Sequence, residues 1–394
     1  MQYFLVRSIN LMNITFTKKP KTMNNSTFKI TIIENIDNPF IDEWKELWDS
    51  SINKNIFNSP EWFLSCIEAF SINNYQIYAG YENGKLAATF PLIKKSLFGI
   101  NTSQSICNGL ISDTPFLVKN YNDDLLTNFF KPLLSSNNIF ISMIDSEVAR
   151  LLHNDFPKAF FSLISANPVL KLEDNPLRYI SKSNRKNLKK TLNKYEDDLE
   201  CRLVCSEQDI QDYLHVMFEI EYNSVKRSRH TDMFSEPEIR ILFQKISKYL
   251  SKYTRIYFLL HKNIPIAYQF GFINRNTFLA YQTAYLSEFN KLDPGKVLLV
   301  NLLEIIKSNE CHEFDFGCGM SSYKRELTPN YKVFYNLYSS NNLIILYWWE
   351  LINCIRRVKQ ILFHHKFSDD YKYLFRTIGP KSLRINMLNI PIMI

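Results

Sequence analysis

The sequence predicts an α+β protein built on mostly antiparallel sheet flanked by helices, and three observations carry that reading. Two strand-like runs, Tyr75 to Tyr81 and Leu86 to Ile93, flank the turn residues Glu82-Asn83-Gly84-Lys85, and Asn-Gly is the strongest short-range hairpin signal. The same order returns about 180 residues later, as Ile256 to Leu260, the turn His261-Lys262-Asn263, and Ile264 to Ile273. That second hairpin runs on into a third strand, Thr277 to Ala284, then an apolar-periodic helix from Val297 to Lys307 and a short strand from Glu313 to Phe316. A meander followed by a helix and a further strand is an α+β arrangement. The two hairpins echo each other, Ile77-Tyr78 against Ile256-Tyr257 and Leu86-Ala87 against Ile266-Ala267. On the residues alone, internal duplication and coincidence both stay open.

The elements follow from local chemistry. Trp44, Leu47 and Trp48 recur at helical spacing between Ile41 and Ser50, which predicts a first helix. A second starts at Ser59-Pro60-Glu61-Trp62, with Ser59 as N-cap, Pro60 at the first helical position and Glu61 at the positive end of the dipole. It runs to about Phe70. In the second half Asp293 is expected to cap the helix that Pro294 begins. That helix start, close to the end of the third strand, offers an anion free amides and a favourable dipole; an ordinary capped helix is the plainer reading.

Composition sets the outer bounds. The chain has 394 residues, 46% hydrophobic and 14% aromatic, enough for packed cores in two or three domains. Its nine glycines complete no phosphate-cradling loop, since Gly80, Gly84 and Lys85 lack both the spacing and the following Ser or Thr, which argues against P-loop and GxGxxG enzymes. Seven cysteines form no CxxC pair and read as reduced thiols in a cytoplasmic protein. The histidines show no HExxH or HxH spacing and no GxSxG elbow occurs; we expect no metal site and no covalent intermediate. Residues 1–26 read as a disordered leader with no signal-peptide core. The longest apolar run, Leu343 to Trp349, is far short of the roughly 20 residues of a membrane span, so no transmembrane segment is expected.

A net charge of +8 permits an anionic partner without demanding nucleic acid. The cations concentrate between Ser181 and Lys194, where Lys182, Arg185, Lys186, Lys189, Lys190 and Lys194 occur with no acidic residue. Like charges stacked at four-residue spacing, and cations in a first helical turn, each cost a few tenths of a kcal/mol. A phosphate-bearing ligand would offset that cost, with Lys182, Arg185, Lys186 and Lys189 as substrate-binding candidates; a solvated charged face is the alternative. After Asn341 an apolar and aromatic stretch is followed by Arg356, Arg357 and Lys359. It suits either packing against the second domain or peripheral contact with an anionic membrane surface.

Several stretches taken together resemble a known family. Ala280-Tyr281-Gln282-Thr283-Ala284-Tyr285, Asp293-Pro294-Gly295-Lys296-Val297-Leu298-Leu299, Phe314-Asp315-Phe316-Gly317-Cys318-Gly319 and Tyr323-Lys324, preceded by Ser59-Pro60-Glu61-Trp62 and the basic segment from Ser181, are similar to the CelD/BcsL-like acyltransferases. These form a branch of the GNAT superfamily related to the FemAB peptidyltransferases. The resemblance covers roughly residues 40 to 340 and is strongest from 180 to 327. It implies tandem GNAT-like domains, over 27–170 and 171–340; the stretch beyond them, 341–394, reads from its own residues as a helical tail. It also implies acyl transfer from acyl-CoA, such as acetyl-CoA, to an amine or hydroxyl of a sugar or sugar-phosphate acceptor in envelope polysaccharide synthesis, with no metal. The FemAB relatives take an aminoacyl group from tRNA instead, which is where a nucleic acid partner would enter. A third reading is a binding or assembly protein that keeps the fold without catalysis.

Carried over by residue, Pro294, Gly295 and Lys296 fall at the helix start that would receive the donor pyrophosphate, although Asn290 to Gly295 departs from the usual GNAT pattern at that loop. Tyr323-Lys324 matches an aromatic-lysine pair at the acceptor and acyl carbonyl. Lys324 is the candidate for stabilising the developing oxyanion. Asp315 lies on the strand face opposite Phe314 and Phe316, where it would accept the acceptor's proton or pair with Lys324 or Arg325 and hold the loop. Tyr281 is a donor-site candidate. It and Gln282 lie on opposite strand faces, so one of them alone is expected in a cleft. The expected location is cytoplasmic, at the inner membrane surface if the tail docks there.

Overall fold

The computed structural model describes residues 27–136, 138–172, 198–308, 311–319, 324 and 326–363, with 182, 185, 186, 190, 193 and 195 between the second and third of these stretches. Among them, thirteen strands form a single sheet with the order β1-β2-β3-β4-β6-β13-β7-β12-β11-β10-β9-β8, and β5 pairs with β3 off that path. Along the chain come β1 (Phe28–Ile33), α1 (Asn38–Ser50), α2 (Pro60–Ala69), β2 (Tyr75–Glu82), β3 (Lys85–Leu97), β4 (Ile100–Ser105), β5 (Leu117–Val118), α3 (Asp123–Ser136), β6 (Ile139–Asp145), α4 (Ser146–Asp155) and β7 (Phe160–Lys171). A similar succession, with no described counterparts of β5 and α4, then follows as β8 (Leu199–Val204), α5 (Glu207–Tyr222), the single turn α6 (Val225–Ser228), α7 (Pro237–Tyr249), β9 (Thr254–His261), β10 (Ile264–Asn274), β11 (Thr277–Tyr285), α8 (Pro294–Ser308), β12 (Glu313–Asp315) and β13 (Tyr331–Ser339). A last helix, α9 (Leu343–Phe363), follows.

Local signals act as the sequence implies. Asn83 and Gly84 both take positive φ (52° and 77°), as do Lys262 and Asn263 (51° and 64°), the two-residue turn that matches strand twist. Ser59 Oγ accepts from Trp62 N at 3.0 Å and starts α2. The first helix begins three residues earlier than expected because Asp37 caps it, accepting from Phe40 N at 3.0 Å. The helix at Pro294 departs from expectation in its cap. Asp293 is left-handed (φ 51°, ψ 48°), closing a preceding 3-10 turn, and its carboxylate pairs with Lys296 Nζ at 3.2 Å.

The two halves are joined by an exchange that local patterning does not reveal. The last strand of the first half, β7, pairs with β12 of the second, and β13, the last strand of the second half, inserts between β6 and β7. Eight residue pairs join β13 to β7, from Tyr331↔Pro168 to Tyr338↔Phe160. On one face α1, α2, α5 and α7 share a core in which Trp44, Trp62, Leu242 and Phe243 are essentially excluded from water. Each large side chain buried in this way contributes about 1.5–3 kcal/mol. The cores of α3 and α4, and of α8, lie apart from it. The tail helix α9 does not rest on the second half's helices. Leu346 and Trp349 pack with Tyr338 against Leu97, Phe98, Phe140 and Phe160, side chains of the sheet's first half and the loop that follows β3. No described helix is long and apolar enough to cross a membrane.

Candidate active site

Two neighbouring strands part in the second half, and the site forms where they do. β11 and β12 run parallel for three pairs, Thr277↔Glu313 to Leu279↔Asp315. Beyond Leu279, β11 continues to Tyr285 while the chain after Asp315 turns away. Between them opens a cavity of about 760 Å³, walled by β11, the start of α8, the 316–318 loop, the segment at α6 and the 109–112 loop of the first half.

Gly317 makes the departure possible. Its φ is +65°, and a Cβ there would sit 2.7 Å from the Ala280 carbonyl oxygen. Gly317→Ala is therefore expected to displace the loop at a cost of about 1–3 kcal/mol, read as a lower thermal midpoint together with lower turnover.

A β-bulge changes which residues face the cavity. The pairing between β10 and β11 slips between Phe270 and Gly271, whose partners are Gln282 and Ala280, so Tyr281 is the extra residue. A bulge breaks strict alternation, and Tyr281 and Gln282 both line the cavity. The expectation that one of them alone would do so fails, because beyond Leu279 the unpaired edge of β11 borders the cavity at every residue from Ala280 to Tyr285 and the bulge breaks alternation within it. The Tyr281 ring packs edge-on to Trp62 and is stacked with Phe243, while its hydroxyl donates to Leu110 O at 2.8 Å. It thereby ties the first half's loop over the second half's cavity.

Of the candidates named from the sequence, Gly295, Lys296, Tyr281 and Lys324 converge on this one cavity. Lys324 Nζ donates to Phe316 O at 2.7 Å and Cys318 O at 3.0 Å. Desolvation lowers its pKa to about 8. Pro294 begins α8, and a Cβ on Gly295 would meet the Tyr285 ring at an ordinary 3.6 Å.

Asp315 lies outside the cavity. It is 3% exposed, with Oδ1 accepting from Gly317 N at 2.9 Å and Oδ2 paired with Lys332 Nζ at 3.1 Å. It faces away from both rings, as alternation implies, but its cation comes from β13 and its effect is to hold the loop. Lys182, Arg185, Lys186 and Lys190 are helical and exposed, and none lines the cavity. Tyr323, Lys189 and Arg325 lie outside the described residues.

Sequence reading missed part of the lining. Lys226 and Arg229 also line the cavity, so with Lys296 and Lys324 the described lining carries four cations against the single carboxylate of Asp293. The signal present in the sequence is the short run Lys226-Arg227-Ser228-Arg229, too brief to separate from a surface turn. Beneath them Glu221, fully buried, accepts from Tyr268 Oη, Gln282 Nε2 and Met233 N, each at 2.6 Å, and pairs with Lys226 Nζ at 3.5 Å. Ser112 also lines the cavity, and its buried Oγ has no hydrogen-bond partner among the described residues. Cys318 stands at the wall, but desolvation pushes its thiol up to about 11, which leaves little thiolate at neutral pH.

A parted strand pair, a helix start and four cations thus surround one cavity beside an unpaired strand edge. The class is given by comparison: residues 182–325 match the family model described as an acetyltransferase (GNAT) domain. The match makes residues 182–325 a GNAT-type acyltransferase domain. None of the curated proteins compared with it matches.

The fold is shared with solved structures of low identity. FemX is 10% identical, with 84% of this chain and 99% of that chain covered at a TM-score of 0.54. L-PGS from Bacillus licheniformis is 12% identical, with 78% and 93% covered at 0.53. A conserved protein of unknown function from Bacteroides thetaiotaomicron is 13% identical, with 79% and 100% covered at 0.53.

Proposed function

We propose that this acyltransferase moves an acyl group directly from acyl-CoA, with acetyl-CoA the simplest donor, to an amine or hydroxyl of a sugar or sugar-phosphate acceptor in envelope polysaccharide synthesis. The observation that carries this reading is the single cavity into which the α8 start, the unpaired edge of β11 and Lys324 all open. An unpaired edge offers backbone donors and acceptors to an extended, amide-bearing arm, as in strand addition. The start of α8 with Lys296 suits the phosphates of such a donor. Ser112 Oγ, buried and unpartnered, is a ready hydrogen-bonding group for the acyl or acceptor end.

Lys324 spends two N–H bonds on the carbonyls of Phe316 and Cys318. As an ammonium it keeps a third for the oxyanion that grows as the acceptor attacks. The acceptor atom bonds to the acyl carbon, the thioester C–S bond breaks and CoA leaves as its thiol, taking the acceptor's proton through solvent. The high pKa of Cys318 favours this direct route over an acyl-cysteine intermediate.

Calorimetric and thermal-shift titration with acetyl-CoA, CoA and charged tRNA at fixed salt tests the donor. A ligand bound only to the folded state at about 100 times its Kd adds roughly 2.7 kcal/mol of stability. The CoA compounds are expected to give that shift. Gly295→Glu, which fills the space beside Tyr285 with a carboxylate, is expected to abolish it.

A second reading is aminoacyl transfer from tRNA, and one observation favours it: Lys182, Arg185, Lys186 and Lys190 are exposed and stand away from the cavity, where they suit a large polyanion. It predicts stabilisation by charged tRNA alone, falling steeply with salt.

A further inference from the structure

The outer face of α9 is unlike any other helical surface described in the molecule. Ile344, Tyr347, Trp348, Leu351 and Ile355 are 78, 60, 46, 52 and 56% exposed, and their spacing of three and four residues draws one stripe along the helix. The opposite face holds α9 in place, through Leu346 and the fully buried Trp349. A helix anchored by one apolar face with a second turned to solvent marks an interaction surface.

Charge and shape identify the occupant. Along Leu343–Phe363 the sequence has Arg356, Arg357 and Lys359 against the single acid Glu350, which is half-buried. At the other end, exposed Lys94 and Lys95 of β3 stand near the start of α9, where Lys94 shares a polar cavity with Asn341, Asn342 and Ile345. Apolar and aromatic residues in a stripe flanked by cations fit the boundary between acyl chains and anionic headgroups, where Trp and Tyr rings are favoured. A protein partner of matching shape would not call for the exposed lysines of β3 beside the start of the stripe. We propose that α9 docks this protein on the surface of an anionic phospholipid bilayer, lying in the interface. The proposal rests on α9 and its flanks alone and is independent of the donor and acceptor assigned above.

Trp348 supplies the probe. The other four tryptophans, Trp44, Trp48, Trp62 and Trp349, are buried, so a fluorescence change on adding vesicles reports on Trp348. Full-length protein titrated with vesicles of phosphatidylcholine and phosphatidylglycerol is expected to show a blue shift and to sediment with them. Affinity is expected to be roughly tenfold or more above that for phosphatidylcholine alone, and to weaken in high salt.

Trp348→Phe should lose the signal and keep the sedimentation. Ile344→Glu with Leu351→Glu should lower vesicle affinity by roughly a hundredfold with an unchanged thermal midpoint, because both positions are exposed. Equal binding to neutral vesicles, no binding to either kind, or a protein that is dimeric without lipid and becomes monomeric in the double variant would each overturn the proposal.

Discussion

Lys324→Ala is expected to reduce kcat by about 10²–10³, the loss measured when one preorganised oxyanion donor is removed, while donor affinity changes far less. An ammonium in this position acts on charge that appears in the transition state, so its removal shows in turnover more than in binding. A merely structural lysine would predict a fall in thermal midpoint with turnover per folded molecule preserved.

The pH profile separates the two further. Desolvation holds Lys324 at about 8, below the ordinary 10.5, so the fraction carrying the third N–H as part of an ammonium falls as pH rises through about 8. Turnover limited by that group should decline over the same range. Lys324→Arg keeps a cation that does not titrate there, and its profile should lack the decline. A rise through pH 8 in the wild type, absent from the Arg variant, would make the neutral amine a general base instead. For stability the sign is set by the depressed folded value. The contribution is present above 10.5 and is lost as pH falls through about 8, because the unfolded chain then binds the extra proton more readily.

The largest stability effect is expected at Glu221. Glu221→Leu removes the acceptor of Tyr268 Oη, Gln282 Nε2 and Met233 N and the partner of Lys226. Buried donors left without acceptors cost about 1–3 kcal/mol each, and breaking a buried ion pair from one side costs about 3–5 kcal/mol. Three such donors come to about 3 kcal/mol at the low end; Lys226 is partly exposed and regains some water, so the pair adds less than its full cost, and we expect a total of about 3–6 kcal/mol, read as a shift in the denaturation midpoint with unchanged slope. Because Gln282 and Lys226 line the cavity, donor affinity should fall with it. Tyr268→Phe in the same background should cost less than it does alone, since the two share one network.

Much of the fold was legible along the chain. The Asn83-Gly84 turn, the Ser59 cap and the order meander, helix, strand in the second half are local matters, set by φ preferences, capping and apolar period, and they appear where those rules put them. The Pro294 to Lys296 start of α8 was legible for the same reason. Gly317 was conspicuous because the chain has so few glycines, and its positive φ against Ala280 supplies the reason for it.

What stayed hidden depends on contacts between residues far apart. The exchange of β7 and β13 pairs Phe160 with Tyr338 across 178 positions, and no local period encodes which edge a strand will choose. Asp315 could be put on a face from alternation, but that its cation is Lys332 follows from β13 and the 315 strand meeting β7 from opposite sides. Tyr281 and Gln282 share the cavity because β11 loses its β12 partner beyond Leu279, so the whole edge from Ala280 to Tyr285 borders the space, and because a bulge against β10 interrupts alternation between them. Composition, period and capping thus determined the elements and the class of fold. The tertiary structure alone decided which charges meet, because burial and long-range pairing, not proximity in sequence, bring Lys226, Arg229, Lys296 and Lys324 around one space.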